Sequence, residues 1–195
     1  SLQTGSAFSD LLRQLKESQA RLAVQHGHYV PLAVKIAPDL QDEDIEYIAE
    51  QFPQLPVWPA DRAARARARS VSAEMHSGFR ALRSAMPMNI RSQHPGKGLT
   101  PEAAADIRRI ASLWRDMRAQ SGGSGPFLFG GFSAADAMFA PVVMRFNTYH
   151  PPLDDDAHQY CGAVNACAAV QEWCAAAKLE TEFEAQDEPY ASPPA

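Results

Sequence analysis

Beyond residue 60, apolar side chains recur at helical spacing in three long segments. The first is predicted to form a helix that is capped by Asp61, runs to about Met86 and faces the core with Val71, Met75, Phe79, Leu82 and Met86. The second is predicted to begin at the cap Thr100, to end at Gln120 and to bury Ile107, Ile110, Leu113, Trp114 and Met117. A last long helix is predicted after the aspartates at residues 154–156, with an apolar side formed by Tyr160, Val164, Cys167, Val170, Trp173 and Cys174.

Residues 125–146 are the most apolar stretch of the chain and read GPFLFGGFSAADAMFAPVVMRF. Ser133 and Asp136 have the spacing of a capping box, in which each side chain bonds to the backbone N–H of the other residue. The residues after this box are apolar nearly all round, which is typical of a helix buried on every side. Two glycines let the chain turn sharply into that helix, and Pro141 is expected to bend it.

The run FLFGGFSAADAMFAPVVMRF resembles the central buried helix in the C-terminal domain of bacterial glutathione transferases. Upstream, FPQLPVWPADRAARARARSVSAEMHSGFRALRSAMPMNIR resembles the first two elements of the same domain. The resemblance extends from about Glu46 to the end of the chain. It implies an all-α domain that supplies an apolar electrophile pocket and part of a dimer interface. In that family a separate thioredoxin-like domain binds glutathione and lowers the pKa of its thiol.

The residues before this domain have a different pattern. Residues 6–26 are predicted to form an amphipathic helix, residues 29–37 a short apolar strand, and residues 41–52 a second helix with an acidic first turn. A lone strand cannot satisfy its backbone N–H and C=O groups. We therefore expect the strand to pair with a second copy or to bind elsewhere, unless this segment does not form a strand here.

Residues 1–45, SLQTGSAFSDLLRQLKESQARLAVQHGHYVPLAVKIAPDLQDEDI, are similar to an internal piece of class 2 dihydroorotate dehydrogenase. The run VPLAVKIAPDL carries the similarity. In that family the lysine of the VKIAPD motif contacts flavin mononucleotide (FMN), so the resemblance makes Lys35 a flavin-contact residue. One strand cannot retain a flavin site that is assembled from several loops of a (β/α)₈ barrel. FMN is therefore not expected as a cofactor, and Lys35 is expected to be an ordinary solvated or paired lysine.

The same segment has a second interpretation, as a degenerate half of a thioredoxin-like domain. In glutathione transferases a Val-Pro pair with a cis proline binds the cysteinyl part of glutathione, which makes Val30 and Pro31 candidate glutathione-binding residues. The first βαβ unit of that domain and its catalytic Ser, Tyr or Cys have no counterpart here. Because the dehydrogenase-like run is contiguous, it favours the first interpretation. The chain then resembles a chimera of two unrelated segments joined near residues 46–50.

These patterns predict a mainly α protein. The resemblance implies that residues 60–195 form a glutathione-transferase C-terminal-like helical bundle, and residues 1–52 are expected to form an N-terminal helix–strand–helix appendage. The prolines of residues 53–59 make an extended linker between the two. Residues 180–195 are acidic and proline-rich and are expected to fray.

Composition narrows the class of partner. With a net charge of -5, the chain is not expected to bind nucleic acid or an anionic membrane surface. No apolar run approaches the ~20 residues of a membrane-spanning helix. The three cysteines show no CxxC spacing, which is typical of reduced thiols in the cytoplasm. The His, Cys and Asp residues never reach metal-ligand spacing, so no metal site is predicted.

The resemblance also indicates a substrate site and its limits. Glu74, Met75 and Phe79 occupy positions that line the electrophile pocket in related enzymes, although core packing is the alternative for Met75 and Phe79. No thiol-activating Ser, Tyr or Cys is identifiable, so no catalytic residue is predicted and glutathione is at most a co-substrate.

We expect a homodimeric, cytoplasmic glutathione-transferase-like protein that lacks most of the thioredoxin-like domain, has little or no transferase activity and takes a small hydrophobic ligand. The alternative is an interaction or scaffold module that dimerises through its N-terminal strand and helices.

Overall fold

A computed structural model of the chain describes residues 55–121 and 124–179, together with residues 21, 49–51, 53, 183, 185 and 188–190. The chain divides into two compact units, Ser1–Leu55 and Pro56–Ala195. In the first unit, residues 49–51 are helical and fall within the helix predicted for residues 41–52. The predicted strand with Val30, Pro31 and Lys35 lies outside the described residues.

The second unit is a bundle of helices. Their bounds are α1 (Arg62–Ser77), α2 (Arg80–Ala85), α3 (Pro101–Gln120), α4 (Ala134–Tyr149), α5 (Asp155–Ala166) and α6 (Ala168–Ala177). Helix α4 packs against α1 and α5, and α3 packs against α2 and α5. The part of the chain that the structure describes contains two isolated β-bridges between residues 127 and 131 but no strand. The predicted mainly α fold is confirmed, and none of the described helices is long and apolar enough to cross a bilayer.

The core is organised around α4 and the indole of Trp114 on α3. Trp114 is 1% exposed, and its ring centroid lies 5.8 Å from Phe139, 5.6 Å from Phe146 and 4.5 Å from Tyr160. The apolar stripe predicted for α3 is buried throughout, and so is most of α4. Aromatic burial of this kind is a large contribution to the stability of a helical domain.

The entry to α4 has the predicted capping box of Ser133 and Asp136. The backbone N–H and the hydroxyl of Ser133 both donate to Oδ2 of Asp136, each at 2.9 Å. Before the box, Gly130 adopts a φ of 90°. A Cβ atom at Gly130 would lie 2.6 Å from the hydroxyl oxygen of Ser124, so the tight turn into α4 requires glycine here.

The long helix predicted from Asp61 to about Met86 is wrong in its second half. Asp61 caps α1 as expected, since its Oδ1 accepts a 2.7 Å hydrogen bond from the backbone N–H of Ala64. However, α1 ends at Ser77, and Phe79 takes a left-handed conformation with a φ of 55°. Phe79 stays in the core while the chain changes direction. The new N-terminus at α2 is then stabilised by Asp106 of α3, whose Oδ2 accepts from the N–H of Leu82 at 2.9 Å.

The last long helix is also interrupted. Its cap, Asp154, accepts a 2.8 Å hydrogen bond from the N–H of Ala157. Helix α5 ends at Ala166, Cys167 is extended with a ψ of 123°, and α6 begins at Ala168. The sequence around Cys167 contains no glycine or proline, so the apolar pattern continued across the break without a signal.

Candidate functional site

The structure places the predicted substrate residues on and just beyond the second half of α1. Met75 and Phe79 are 6% and 7% exposed and belong to the hydrophobic core. Glu74 is half-buried, and its two carboxylate oxygens accept from Nε and a terminal nitrogen of Arg109 at 2.8 and 3.0 Å. The three side chains therefore do not converge on one opening. Their role in substrate binding stays a prediction, as does that of Val30, Pro31 and Lys35 outside the described residues.

A cavity of about 260 Å³ opens elsewhere, between the loop after α2 and helices α4, α5 and α6. Its lining combines apolar, amide, thiol and ammonium groups and includes Ile90, Met144, Asn147, Asn165, Cys174 and Lys178. Cavities that bind small molecules are mostly apolar and carry a few well-placed polar groups. This cavity is therefore the candidate ligand site of the helical unit.

Two amides fix one wall of this cavity. Asn147 on α4 donates to Oδ1 of Asn165 on α5 at 2.8 Å, and Asn165 donates back to Oδ1 of Asn147 at 3.1 Å. The reciprocal pair holds the two helices in register beside the cavity. Each amide has two N–H donors and an oxygen with two lone pairs, so each keeps hydrogen-bonding capacity for a ligand.

Two sulfur atoms form another part of the lining. The thiol of Cys174 donates to Sδ of Met144 at 3.3 Å. Burial raises the pKa of the Cys174 thiol, although the ammonium group of Lys178 acts in the opposite direction. Because the thiolate is the nucleophilic form, Cys174 is suited to soft, polarisable contact with a ligand rather than to covalent attack at neutral pH.

The helical unit corresponds to a known domain. The family described as glutathione S-transferase, C-terminal domain, matches residues 63–176, which run from the first turn of α1 to the end of α6. The chain belongs to this glutathione S-transferase family. The resemblance stated from the sequence is therefore confirmed for the helical part.

The chain is also similar to a second kind of protein over a short segment. The chain is 64% identical over 52 residues to dihydroorotate dehydrogenase (quinone) of Photobacterium profundum, and 57% identical over 52 residues to that of Acinetobacter baylyi. These matches cover 27% of this chain and 16% of each relative. Such a short piece is far below the ~250 residues of a complete barrel. The two sets of matches are those expected of a chimera.

Sequence reasoning missed the cavity in this glutathione S-transferase domain. The available signal was Asn147, a polar residue directly after the apolar stretch of residues 125–146. Its partner Asn165 lies on another helix, and no spacing rule connects the two. Among the described residues, no group of three or more His, Cys, Asp or Glu side chains is arranged to hold a metal ion.

Proposed function

We propose that this chain is a glutathione S-transferase-like protein with little or no transferase activity, whose helical domain binds a small hydrophobic ligand and forms a homodimer. One observation supports the proposed lack of transferase activity. Among the described residues of the helical unit, every tyrosine hydroxyl already donates a hydrogen bond within the chain. Tyr149 donates to the carbonyl of Pro87 at 2.9 Å, Tyr160 to Asp136 at 3.1 Å, and Tyr190 to the carbonyl of Ala85 at 3.0 Å. Activation of a thiol needs a hydroxyl or thiol that is available to the incoming sulfur.

Two buried groups are also unsuited to activating a thiol. Burial raises the pKa of Tyr160 well above its ordinary value and that of Cys161 to about 12. Such groups stay neutral at physiological pH and do not act as bases. The segment similar to dihydroorotate dehydrogenase supports the same conclusion, because that resemblance supplies no glutathione-activating residue.

The cavity supports the proposed ligand. Its volume of about 260 Å³ lies just below the ~300–1,000 Å³ typical of drug-sized sites, so a smaller molecule fits. Ile90 and Met144 favour an apolar body, whereas the amides of Asn147 and Asn165 favour one uncharged polar group. We expect an aliphatic or aromatic amide or alcohol to bind more tightly than a hydrocarbon of the same size.

The exposed side of α1 supports the proposed homodimer. It carries small residues at helical spacing: Ala63, Ala66, Ser70, Ala73 and Ser77. Small side chains let two helix axes approach closely, and the family uses its helical domain for part of the dimer interface. Ala66→Arg is expected to convert a dimer to a monomer in light scattering. An unchanged dimer mass would favour the scaffold alternative, with dimerisation through the N-terminal strand and helices.

The three unbridged cysteines support a reducing, cytoplasmic location.

Two measurements on the purified full chain test the loss of activity. Calorimetry with glutathione measures binding, and a conjugation assay with 1-chloro-2,4-dinitrobenzene measures catalysis. We expect no conjugation above the uncatalysed rate, whether or not glutathione binds weakly. Appreciable conjugation that saturates with glutathione would overturn the proposal, and Pro31 would then be the first residue to substitute.

A further inference from the structure

Residues 188–190 lie against the helical unit, although composition predicted that residues 180–195 fray. The carboxylate of Glu188 accepts from Nδ2 of Asn89 at 2.7 Å and from a terminal nitrogen of Arg91 at 2.9 Å. Its side chain is only 14% exposed. The hydroxyl of Tyr190 donates to the carbonyl of Ala85, the last residue of α2, at 3.0 Å. A charged group and an aromatic group therefore anchor this segment at two separate points.

The surface that receives Glu188 is itself highly ordered. Asn89 is 6% exposed, and its Oδ1 accepts from the backbone N–H groups of Arg91 and Ser92, both at 3.0 Å. These bonds orient the amide so that its NH₂ group faces the carboxylate. The carbonyl of Asn89 accepts a 2.6 Å hydrogen bond from Thr148, which fixes the loop on α4. Donors held in place in this way bind a carboxylate without reorganising first.

The surface that receives Tyr190 is aromatic. The centroid of the Tyr190 ring lies 5.9 Å from that of Tyr149, with the ring planes at 77°, and 5.8 Å from that of His94. Tyr149 is 1% exposed and its hydroxyl is held by Pro87, so this ring cannot turn away. Edge-on aromatic pairs at this separation contribute beyond their buried area.

The contact with residues 188–190 is nevertheless not packed like the core. An open surface pocket of about 150 Å³ lies beside it and is lined by Met88, Asn89, Ile90, Arg91, Ala177 and Glu188. The segment is held by a few directional contacts at its two ends, which is the arrangement of a bound peptide rather than of a core element.

We propose that residues 85–94 and Tyr149 form a recognition site for a peptide that carries a carboxylate two residues before a tyrosine. Residues 188–190 are the resident ligand of this site and exchange with the same sequence offered by another chain. Pro189 separates the two anchors and restricts the backbone between them, which lowers the entropy lost on binding. Because the resident segment belongs to the same chain as the site, its effective concentration there is about millimolar, and it excludes micromolar competitors until it is released.

The test uses the full chain and a fluorescent peptide, EAQDEPYASPPA, which is the sequence of residues 184–195. In the full-length variant Glu188→Gln/Tyr190→Ala the resident segment is disabled, and we expect the peptide to bind this variant at least tenfold more tightly than wild type by fluorescence anisotropy. Adding Arg91→Gln to the variant is expected to abolish binding. A peptide with glutamine in place of the glutamate that corresponds to Glu188 is expected to bind at least tenfold more weakly.

Glu172→Gln is the matched control variant, because it makes the same acid-to-amide change at an exposed position on α6. It is expected to bind the peptide as weakly as wild type. Equal binding to wild type and to the disabled variant would overturn the proposal, as would no binding to a disabled variant that unfolds cooperatively. If the double variant does not fold, Glu188→Gln alone is the second test. Loss of the Glu188 anchor is expected to be enough to release the resident segment and to expose the site to the peptide.

Discussion

The hydroxyl of Tyr160 on α5 donates a hydrogen bond of 3.1 Å to Oδ1 of Asp136 in the first turn of α4. Asp136 is fully buried, and its Oδ1 also accepts from the N–H of Leu128 at 3.0 Å. With the two bonds from Ser133, one carboxylate joins the loop before α4, the start of α4 and the middle of α5. Burial raises the pKa of Asp136, and the hydrogen bonds act against that rise.

Asp136→Asn is expected to lower the free energy of unfolding by about 2–3 kcal/mol. The amide nitrogen of asparagine cannot accept, so the donors that now face one carboxylate oxygen lose their acceptor in a buried place. Urea denaturation of both proteins measures the difference. Asp116→Asn makes the same change at an exposed position and is expected to alter stability by no more than about 0.5 kcal/mol. Equal effects of the two substitutions would show that burial of Asp136 is not what matters.

Local signals explain why α3 and the start of α4 were predicted correctly. Thr100 accepts from the N–H of Ala103 at 3.1 Å, and Pro101 and the apolar stripe follow within the same segment. The capping box of Ser133 and Asp136 is equally local, since its two residues are three apart. Where the cap and the buried apolar positions lie within one helix, the local sequence is enough to predict that helix.

Tertiary contacts explain the failures. The left-handed Phe79 is tolerated because its ring is buried and because Asp106 stabilises the helix that follows from a different part of the chain. The candidate ligand cavity depends on Asn147 and Asn165 meeting across two helices. The docking of Glu188 depends on Arg91, nearly a hundred residues earlier. Neither the Asn147–Asn165 pair nor the Glu188–Arg91 pair follows from hydrophobic periodicity or from any spacing rule along the sequence.

His150→Gly is expected to stabilise the protein by about 0.5–1 kcal/mol. His150 ends α4 in the left-handed conformation, with φ 48° and ψ 53°, and its side chain is exposed. Glycine adopts this conformation without the steric penalty of a Cβ atom. His158→Gly places the same change inside α5 at another exposed position and is expected to destabilise by about 1 kcal/mol. Thermal unfolding of the two variants measures these opposite signs, and a loss of stability in both would contradict the assigned backbone strain.

The thiol of Cys161 is expected to make stability depend on pH in the alkaline range. Burial raises its pKa in the folded state from 9.0 to about 12. Between these two pH values the thiol of the unfolded chain has lost its proton, whereas the thiol of the folded chain keeps it. The contribution of the thiol to the free energy of unfolding is therefore complete below pH 9 and is lost as pH rises toward 12. The slope approaches about 1.4 kcal/mol per pH unit.

Cys161→Ala isolates this effect from other titrating groups. The difference in unfolding free energy between wild type and Cys161→Ala is expected to shrink between pH 9 and 11, measured by urea denaturation. Val164→Ala is the control, because it also truncates a buried side chain on α5 but removes no titrating group. Its effect is expected to stay constant over the same range. A constant difference for Cys161→Ala as well would mean that the thiol titrates alike in both states.

The amide pair at the cavity predicts energetic coupling between α4 and α5. Removing either side chain, as Asn147→Ala or Asn165→Ala, leaves the other amide without its partner. The double variant removes both, so its loss of stability is expected to be about 1–2 kcal/mol smaller than the sum of the single losses. Chemical denaturation of the four proteins gives this coupling.

Asn147→Ala combined with Thr100→Ala is the control, because Thr100 caps α3 and shares no hydrogen-bond partner with Asn147. That control pair is expected to be additive within about 0.5 kcal/mol. Additivity in the asparagine pair as well would show that water satisfies each amide equally well, and that the pair does not hold the cavity wall in place.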